Sequence, residues 1–328
     1  MAATAPPPEL QERPRAADSL SWDRFGLPVI ASRMFTLIGS VVVLLCVCGS
    51  FLMEGGSLLL LWHPGEVIII VGSAFGAFVT SNPIKVVKGS FAAALGLVKR
   101  PRYKREDYVD LLKLLYDVLV KIRKSGMLAI EADIEQPANS KLFTDYPRIM
   151  ADHHMIEFIT DCLRLIVGGT LDPHELESLL EYELETHHQE AQQPAHAVQR
   201  VAEALPGFGI VAAVLGIVDT MASIDGADTG TIGRKVGAAL VGTFLGILIA
   251  YGFVGPIAAA IEHRVHEEGK AFEVVKMALV ASVRGYAPPV AVEFARKLLW
   301  SDVRPTFADL ENHLKGKKKE PQKEGAPA

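Results

Sequence analysis

The chain has 328 residues, half of them apolar and 22% charged, with a formal net charge of -5 and a mean hydropathy of +0.26. That balance excludes a disordered or fibrous protein and is too apolar for an ordinary soluble one, while the mild acidity argues against a bulk electrostatic binder of nucleic acid. The three cysteines, Cys46, Cys48 and Cys162, offer neither a disulfide framework nor a CxxC metal motif, and read as small buried hydrophobes.

Taken in chain order, residues 1–33 are rich in proline and mixed charge and read as a disordered extension, unless translation starts at Met34. Met34 to Met53 then runs without a charge for about 30 Å of helix, enough to cross a bilayer core. The short connection from Glu54 to Glu66 contains no Lys or Arg. A second uncharged run, Val67 to Ile84, is closed by Asn82-Pro83 and completes a transmembrane hairpin over residues 34–84.

Residues 85–203 have ordinary soluble composition and read as a helical domain. Within it, Val109, Leu112, Leu115, Leu119 and Ile122 mark one face of a helix over Glu106 to Lys124. A second such helix, Ile149 to Val167, stops at Gly168-Gly169, a C-cap signal. Asp172-Pro173-His174-Glu175 reads as an N-cap, a proline at the first helical position and a capping-box acid, opening a helix able to run on into the membrane. The third apolar run, Ala204 to Val218, is interrupted by Asp219 and continues to about Ile224; Val236 to Ile261 is the fourth. A helical tail over 262–314 and a charged, disordered end over 315–328 complete the chain.

The expected fold is therefore an all-α polytopic membrane protein: four transmembrane helices and a large cytoplasmic helical domain. Orientation follows from charge asymmetry. Lys85, Lys88, Lys99, Arg100, Arg102, Lys104 and Arg105 follow the second span and Arg264 and Lys270 the fourth, which places the loop and both termini in the cytoplasm.

Little in the sequence offers chemistry of its own. Gly207-Phe208-Gly209-Ile210-Val211-Ala212 has the form G-x-G-x-x-A, but no strand precedes it and the run is membrane-length. It reads instead as close helix packing through small residues, as do Ala238, Gly242, Gly246 and Ala250 in the fourth span and Gly72 and Gly76 in the second. His153-His154 and His187-His188 lack a third ligand at metal spacing, and neither a hydrolase constellation nor a nucleotide-binding loop is present. No catalytic residue, metal or cofactor is expected. Spans one, two and four carry no ionisable residue at mid-depth, and Asp219 falls near the outer surface. Such a chain can wall an ion path but needs a partner to supply the carboxylate that titrates.

Several long stretches resemble a known family. Leu205-Pro206-Gly207-Phe208-Gly209-Ile210-Val211-Ala212-Ala213-Val214-Leu215-Gly216, Val241-Gly242-Thr243-Phe244-Leu245-Gly246-Ile247-Leu248, Ala250-Tyr251-Gly252-Phe253 and Gly285-Tyr286-Ala287-Pro288-Pro289-Val290-Ala291-Val292-Glu293-Phe294, with Tyr146-Pro147-Arg148-Ile149 in the loop, are similar to the MotA family of flagellar motor stator subunits. The likeness spans about Met34 to Leu314. It implies a pentameric ring of such subunits in the inner membrane around a dimer of a MotB-like partner, which supplies a membrane aspartate. Proton flow then turns the ring against the rotor protein FliG. By position, the resemblance assigns Pro206 and Pro256 as the hinge prolines, and Ala213, Thr243 and Tyr251 to helix faces near the ion path. It assigns Arg123 and Glu131 to the rotor contact. The thin polar lining favours protons over the sodium of PomA-type stators. An ExbB/TolQ-like energy-transducing subunit shares the logic of the last two spans, but the two uncharged runs before Lys85 speak against it, and a self-sufficient transporter would show polar residues at mid-membrane.

Overall fold

The computed structural model describes residues 30–99, 102–169, 171–226 and 228–315. The expected disordered ends, save for residues 30–33 and Lys315, lie outside these residues. Every regular element among them is helical.

Helix α1 covers Ile30–Met53, so it starts ahead of Met34. Helix α2 occupies 64–81 and opens on Pro64 at its first turn, with one π-helical turn at Ile68–Gly72. Asn82-Pro83 breaks it, since the residue before a proline is pushed out of the α region, and α3 resumes at Ile84–Gly96. Helix α4 is Arg105–Ser125 and α5 is His153–Gly168, with short helical turns between them. The Gly168-Gly169 stop behaves as its composition predicts, because Gly169 takes the left-handed conformation (φ 64°) that closes the last turn.

Two very long helices dominate the fold. Helix α6 runs unbroken over Pro173–Ala222, and the Asp172 capping box starts it as its sequence predicts. Helix α7 extends over Thr229–Val283 and contains a π-helical turn at Ala250–Val254. At 50 and 55 residues they are about 75 and 80 Å long, more than twice a bilayer core. The chain closes with α8, Pro288–Lys297, and α9, Phe307–Leu314.

Helices long and apolar enough to cross a membrane number three among the described residues: Leu58–Ser81, α6 and α7. The first predicted span lies within α1, whose apolar stretch among the described residues includes Ile38–Met53.

The main core lies in the soluble part. Leu111, Leu112, Leu114 and Leu115 of α4, Phe143 of a short turn at Lys141–Thr144, Met155 and Ile159 of α5, Leu180 of α6 and Val274, Val275, Ala278 and Leu279 of α7 are all at most 1% exposed. The two long helices thus carry a membrane stretch at one end and a part of the soluble core at the other. The amphipathic face of α4 is wider than Val109-Leu112-Leu115-Leu119 alone, since Leu111, Leu114 and Val118 are buried as well.

Polar clamps fix this unit. Glu293 holds Arg296 through both carboxylate oxygens (2.7 and 2.6 Å), and the same guanidinium donates to the Pro305 carbonyl at 2.7 Å. The Arg296 contacts hold the Glu293 carboxyl below its usual range. Buried Asp152 accepts from Arg102 at 2.5 Å and from the Tyr103 hydroxyl while capping α5. Cys162 sits in the core and Cys48 is half-buried, but Cys46 is exposed on α1, so the expectation of three buried thiols fails there.

Candidate functional site

The crossing of α6 and α7 is built by glycine. A Cβ placed on Gly209 would lie 2.9 Å from the Gly242 carbonyl oxygen, and one on Gly246 would lie 2.7 Å from the Leu205 carbonyl oxygen. Neither space admits a methyl group, so the two backbones touch directly, as small residues allow in a bilayer. The G-x-G-x-x-A run is interior to α6 and serves this approach. Gly72 and Gly76 of α2 do not behave this way: each faces open space, so that stripe presses on no neighbour among the described residues.

Ala213 and Thr243 meet at this crossing. The Ala213 backbone nitrogen is 3.4 Å from a Cβ built on Gly242, and the Thr243 Cα is 3.3 Å from one built on Gly209. The Thr243 hydroxyl makes a long contact of 3.5 Å to the Gly209 carbonyl. Tyr251 stands apart, eight residues further along α7, with its side chain 72% exposed.

The two prolines differ in their surroundings. Pro206 is half-buried inside continuous α-helix one residue beyond Leu205, whose carbonyl faces Gly246. Pro256 is exposed and lies two residues past the π-helical turn Ala250–Val254. A helical proline has no N–H to give and its ring crowds the carbonyl four residues back; widening one turn relieves that conflict. A third helical proline, Pro194, was given no role on sequence. Its carbonyl accepts from Ser90 at 3.4 Å and its ring lies 3.6 Å from a Cβ built on Gly89, so it seats α3 against α6. Arg264 of α7 also donates to the Gly96 carbonyl at the end of α3.

At the other end of the molecule, Arg123 and Glu131 flank a sharp corner. Helix α4 ends at Gly126, whose φ of 83° only glycine adopts readily, and a 3-10 turn leads to a short helix beginning at Glu131. The Lys121–Asp133 pair (2.5 Å) and the Ser140 hydroxyl on Asp133 (2.6 Å) brace the corner from beneath. Arg123 and Glu131 are both exposed, and between them the corner presents Leu128 at 75% exposure.

One acidic side chain at the crossing escaped the sequence reading. The uncharged second run begins at Val67, but its helix starts three residues earlier, and Glu66 belongs to its first turn. Its carboxylate enters the α6–α7 crossing: Oε2 would lie 2.6 Å from a Cβ on Gly242, and Oε1 3.6 Å from one on Gly216. The sequence excludes ionisable residues from mid-depth of the second span; Glu66, at the start of the helix, lies ahead of that uncharged run. Pro-Gly-Glu ahead of an apolar run was the available signal, a proline at the first helical position with an acid in the first turn. Asp219, by contrast, is 75% exposed and pairs with Lys235 at 3.1 Å, which ties the end of α6 to the start of α7.

No group of three or more His, Cys, Asp or Glu side chains gathers for a metal among the described residues. Of the adjacent histidines, His153, His154 and His187 are exposed, as expected of solvated helix positions. His188 is half-buried, 2.7 Å from Gln192.

Comparison with known proteins accords with this geometry. Residues 37–126 match the family described as Motility protein A N-terminal, and residues 151–274 the MotA/TolQ/ExbB proton channel family. The chain is 45% identical over 285 residues to Motility protein A of Escherichia coli (strain K12), covering 87% of this chain and 96% of that protein. It is 41% identical over 281 residues to chemotaxis protein LafT of Vibrio parahaemolyticus, covering 86% and 98%. The fold is similar to a solved structure of C. jejuni MotAB with a TM-score of 0.65 at 19% identity, covering 81% of this chain and 96% of that one.

Proposed function

The chain belongs to the Motility protein A family, and we propose that it is the flagellar stator subunit that, with a MotB-like partner, conducts protons and applies torque to the rotor. The observation that carries this reading is the pair of helices α6 and α7. Each is continuous from an apolar stretch of membrane length into the soluble core, so the two ends are mechanically connected.

The membrane stretches are incomplete alone. Only 11%, 22% and 28% of the three apolar windows are buried within the chain. Leu240, Ile247 and Tyr251 of α7 stand open, which supports further copies of the subunit, a partner and lipid as their covering. A ring of five around a partner dimer, in a bacterial inner membrane with both termini cytoplasmic, is the arrangement we infer. The partner then supplies the aspartate that binds the translocated proton beside Ala213 and Thr243. Protonation there shifts the turns at Pro206 and Pro256, and the long helices pass the motion to the corner at Arg123 and Glu131, which faces FliG. Sodium is disfavoured as the coupling ion by the thin hydroxyl inventory of this crossing, Thr243 and Thr220.

Complementation tests the reading. A motile bacterium lacking its own subunit gene receives this chain together with its cognate partner, and swimming is expected to return and to stop on addition of a protonophore. Absence of swimming while both chains reach the membrane and co-purify overturns the assignment. Swimming that persists under a protonophore but needs sodium overturns the proton.

A further inference from the structure

Among the described residues, Glu66 Oε2 is the buried side-chain polar atom that meets no hydrogen-bond partner. The hollow it occupies has a definite shape. Gly242 opens it, since a Cβ there would lie 2.6 Å from Oε2, with the Cβ of Ala212 beside it; Gly216 lies next to the hollow, where a Cβ would meet Ala239 at 2.7 Å and only touch Oε1 at 3.6 Å. Ala213 and Thr243 lie at the same crossing of α6 and α7, the Ala213 backbone nitrogen 3.4 Å from a Cβ built on Gly242 and Thr243 next to Gly242 in the chain. Gly242 lies seven residues below Lys235, about 10 Å along the helix from the outer end of the span. A carboxylate oxygen without a donor in apolar surroundings is held only when it takes up a proton or meets a cation. The neighbouring atoms are mostly carbon, so the site cannot supply the six or more oxygens that replace the shell of a hard cation.

Resting on the proton-conducting reading above, we propose that Glu66 is a proton-binding site of this subunit, an entry station between the outer aqueous side and the ion path at Ala213 and Thr243. The step is one proton in and one proton out. Outer water gives a proton to Oε2, forming the carboxylic O–H bond; that bond breaks when the proton passes inward to the partner's acidic group, and the carboxylate is restored. The charged or titratable groups on the elements around it are His63 on its own segment, Glu54 just past α1, Asp219 on α6, Asp225 and Asp228 in the following connection, and Arg234 and Lys235 on α7. Lys235 is engaged by Asp219 and Arg234 reaches Thr231 at 3.1 Å. Gly242 gains a reason beyond helix packing: it leaves room for the acid.

The test uses the full complex with its partner in sodium-free proteoliposomes, with proton uptake followed as outer pH is stepped. Glu66→Gln is expected to slow flux roughly tenfold and to flatten its dependence on outer pH, and Glu66→Asp to recover part of both. Gly242→Ala, whose methyl claims the place of Oε2, is expected to reproduce the glutamine variant while Glu66 itself is intact. Wild-type rates and pH profile in both Glu66→Gln and Gly242→Ala overturn the proposal and leave the stator reading standing. A wild-type complex that conducts nothing overturns both. A measurement independent of any variant is modification of wild-type membranes by a hydrophobic carbodiimide, read by mass spectrometry. Labelling of Glu66 that rises as outer pH falls supports the site, and no labelling at any pH overturns it.

Discussion

The two ends of α6 and α7 solve the packing problem in opposite ways. In the soluble unit the helices meet large side chains, and Phe143, Leu111, Leu112 and Ile159 vanish from the surface. In the membrane stretch the buried cluster is small: Ile70, Ala74, Leu205, Ala212 and Ala250. Water drives the first by expelling apolar area, whereas lipid offers no such gain, and contact there depends on backbones approaching over glycine. A closed core sits at one end and an open, smooth-faced pair at the other, which is the division expected of a soluble lever attached to helices that must be completed by other chains.

The contrast is broken most strongly at Phe143. Phe143→Ala should destabilise the soluble unit by about 3–5 kcal/mol, visible as a large drop in melting temperature of the purified full chain. The same truncation at Val214, 55% exposed in the membrane stretch, should leave the melt nearly unchanged. Equal effects at both positions would remove the distinction.

Next in size are the prolines. An interior proline costs a helix up to about 3 kcal/mol, so Pro206→Ala and Pro256→Ala should preserve or raise stability. Motility should nevertheless fall steeply, with membrane abundance and partner co-purification unchanged. If assembly and motility fall together, these turns shape the bundle and do not move it.

Gly209→Ala probes the crossing itself. The added methyl meets the Gly242 carbonyl at 2.9 Å, and overpacking of this kind costs about 1–3 kcal/mol. The expected result is a weakened α6–α7 pair, read as lost thermal stability. Gly76→Ala, facing open space, serves as the silent control.

A smaller effect separates the clamps of the soluble unit from the bilayer. The Glu293 carboxyl is held below its ordinary value of 4.5 in the folded chain by Arg296. Its contribution is therefore fully present above that value and is lost as pH falls through the lower folded one. Melts from neutral pH down to about 3 should show a loss on the order of 1 kcal/mol that Glu293→Gln does not show.

Smallest in stability is the corner. Reversing Arg123 and Glu131 together should shift the melt by less than about 0.5 kcal/mol, because both are exposed and neither forms an ion pair within the described residues. Swimming should nonetheless decline, and compensating reversals on FliG should restore part of it. Normal swimming by the double reversal would remove these residues from the rotor contact.

The sequence by itself determined the element types and most of their limits. Uncharged runs of membrane length, the capping box at Asp172, the glycine stop at Gly169 and the proline break at Asn82-Pro83 are local signals, and local backbone chemistry obeys them wherever the helix ends up. The stripe Gly242-Gly246-Ala250 was legible for the same reason, since one helix face repeats near every fourth residue. What only the tertiary structure decided was which smooth faces meet. Gly242 and Gly246 find α6, while Gly72 and Gly76 find nothing among the described residues, and no spacing rule separates the two cases. Glu66 shows this most clearly. In the sequence it is an acid at the edge of an apolar run; one of its carboxylate oxygens is buried because α2 begins at Pro64 and delivers it into a gap opened by a glycine 176 positions away. Charge on a chain is local, but the cost of burying it belongs to the neighbours that surround it.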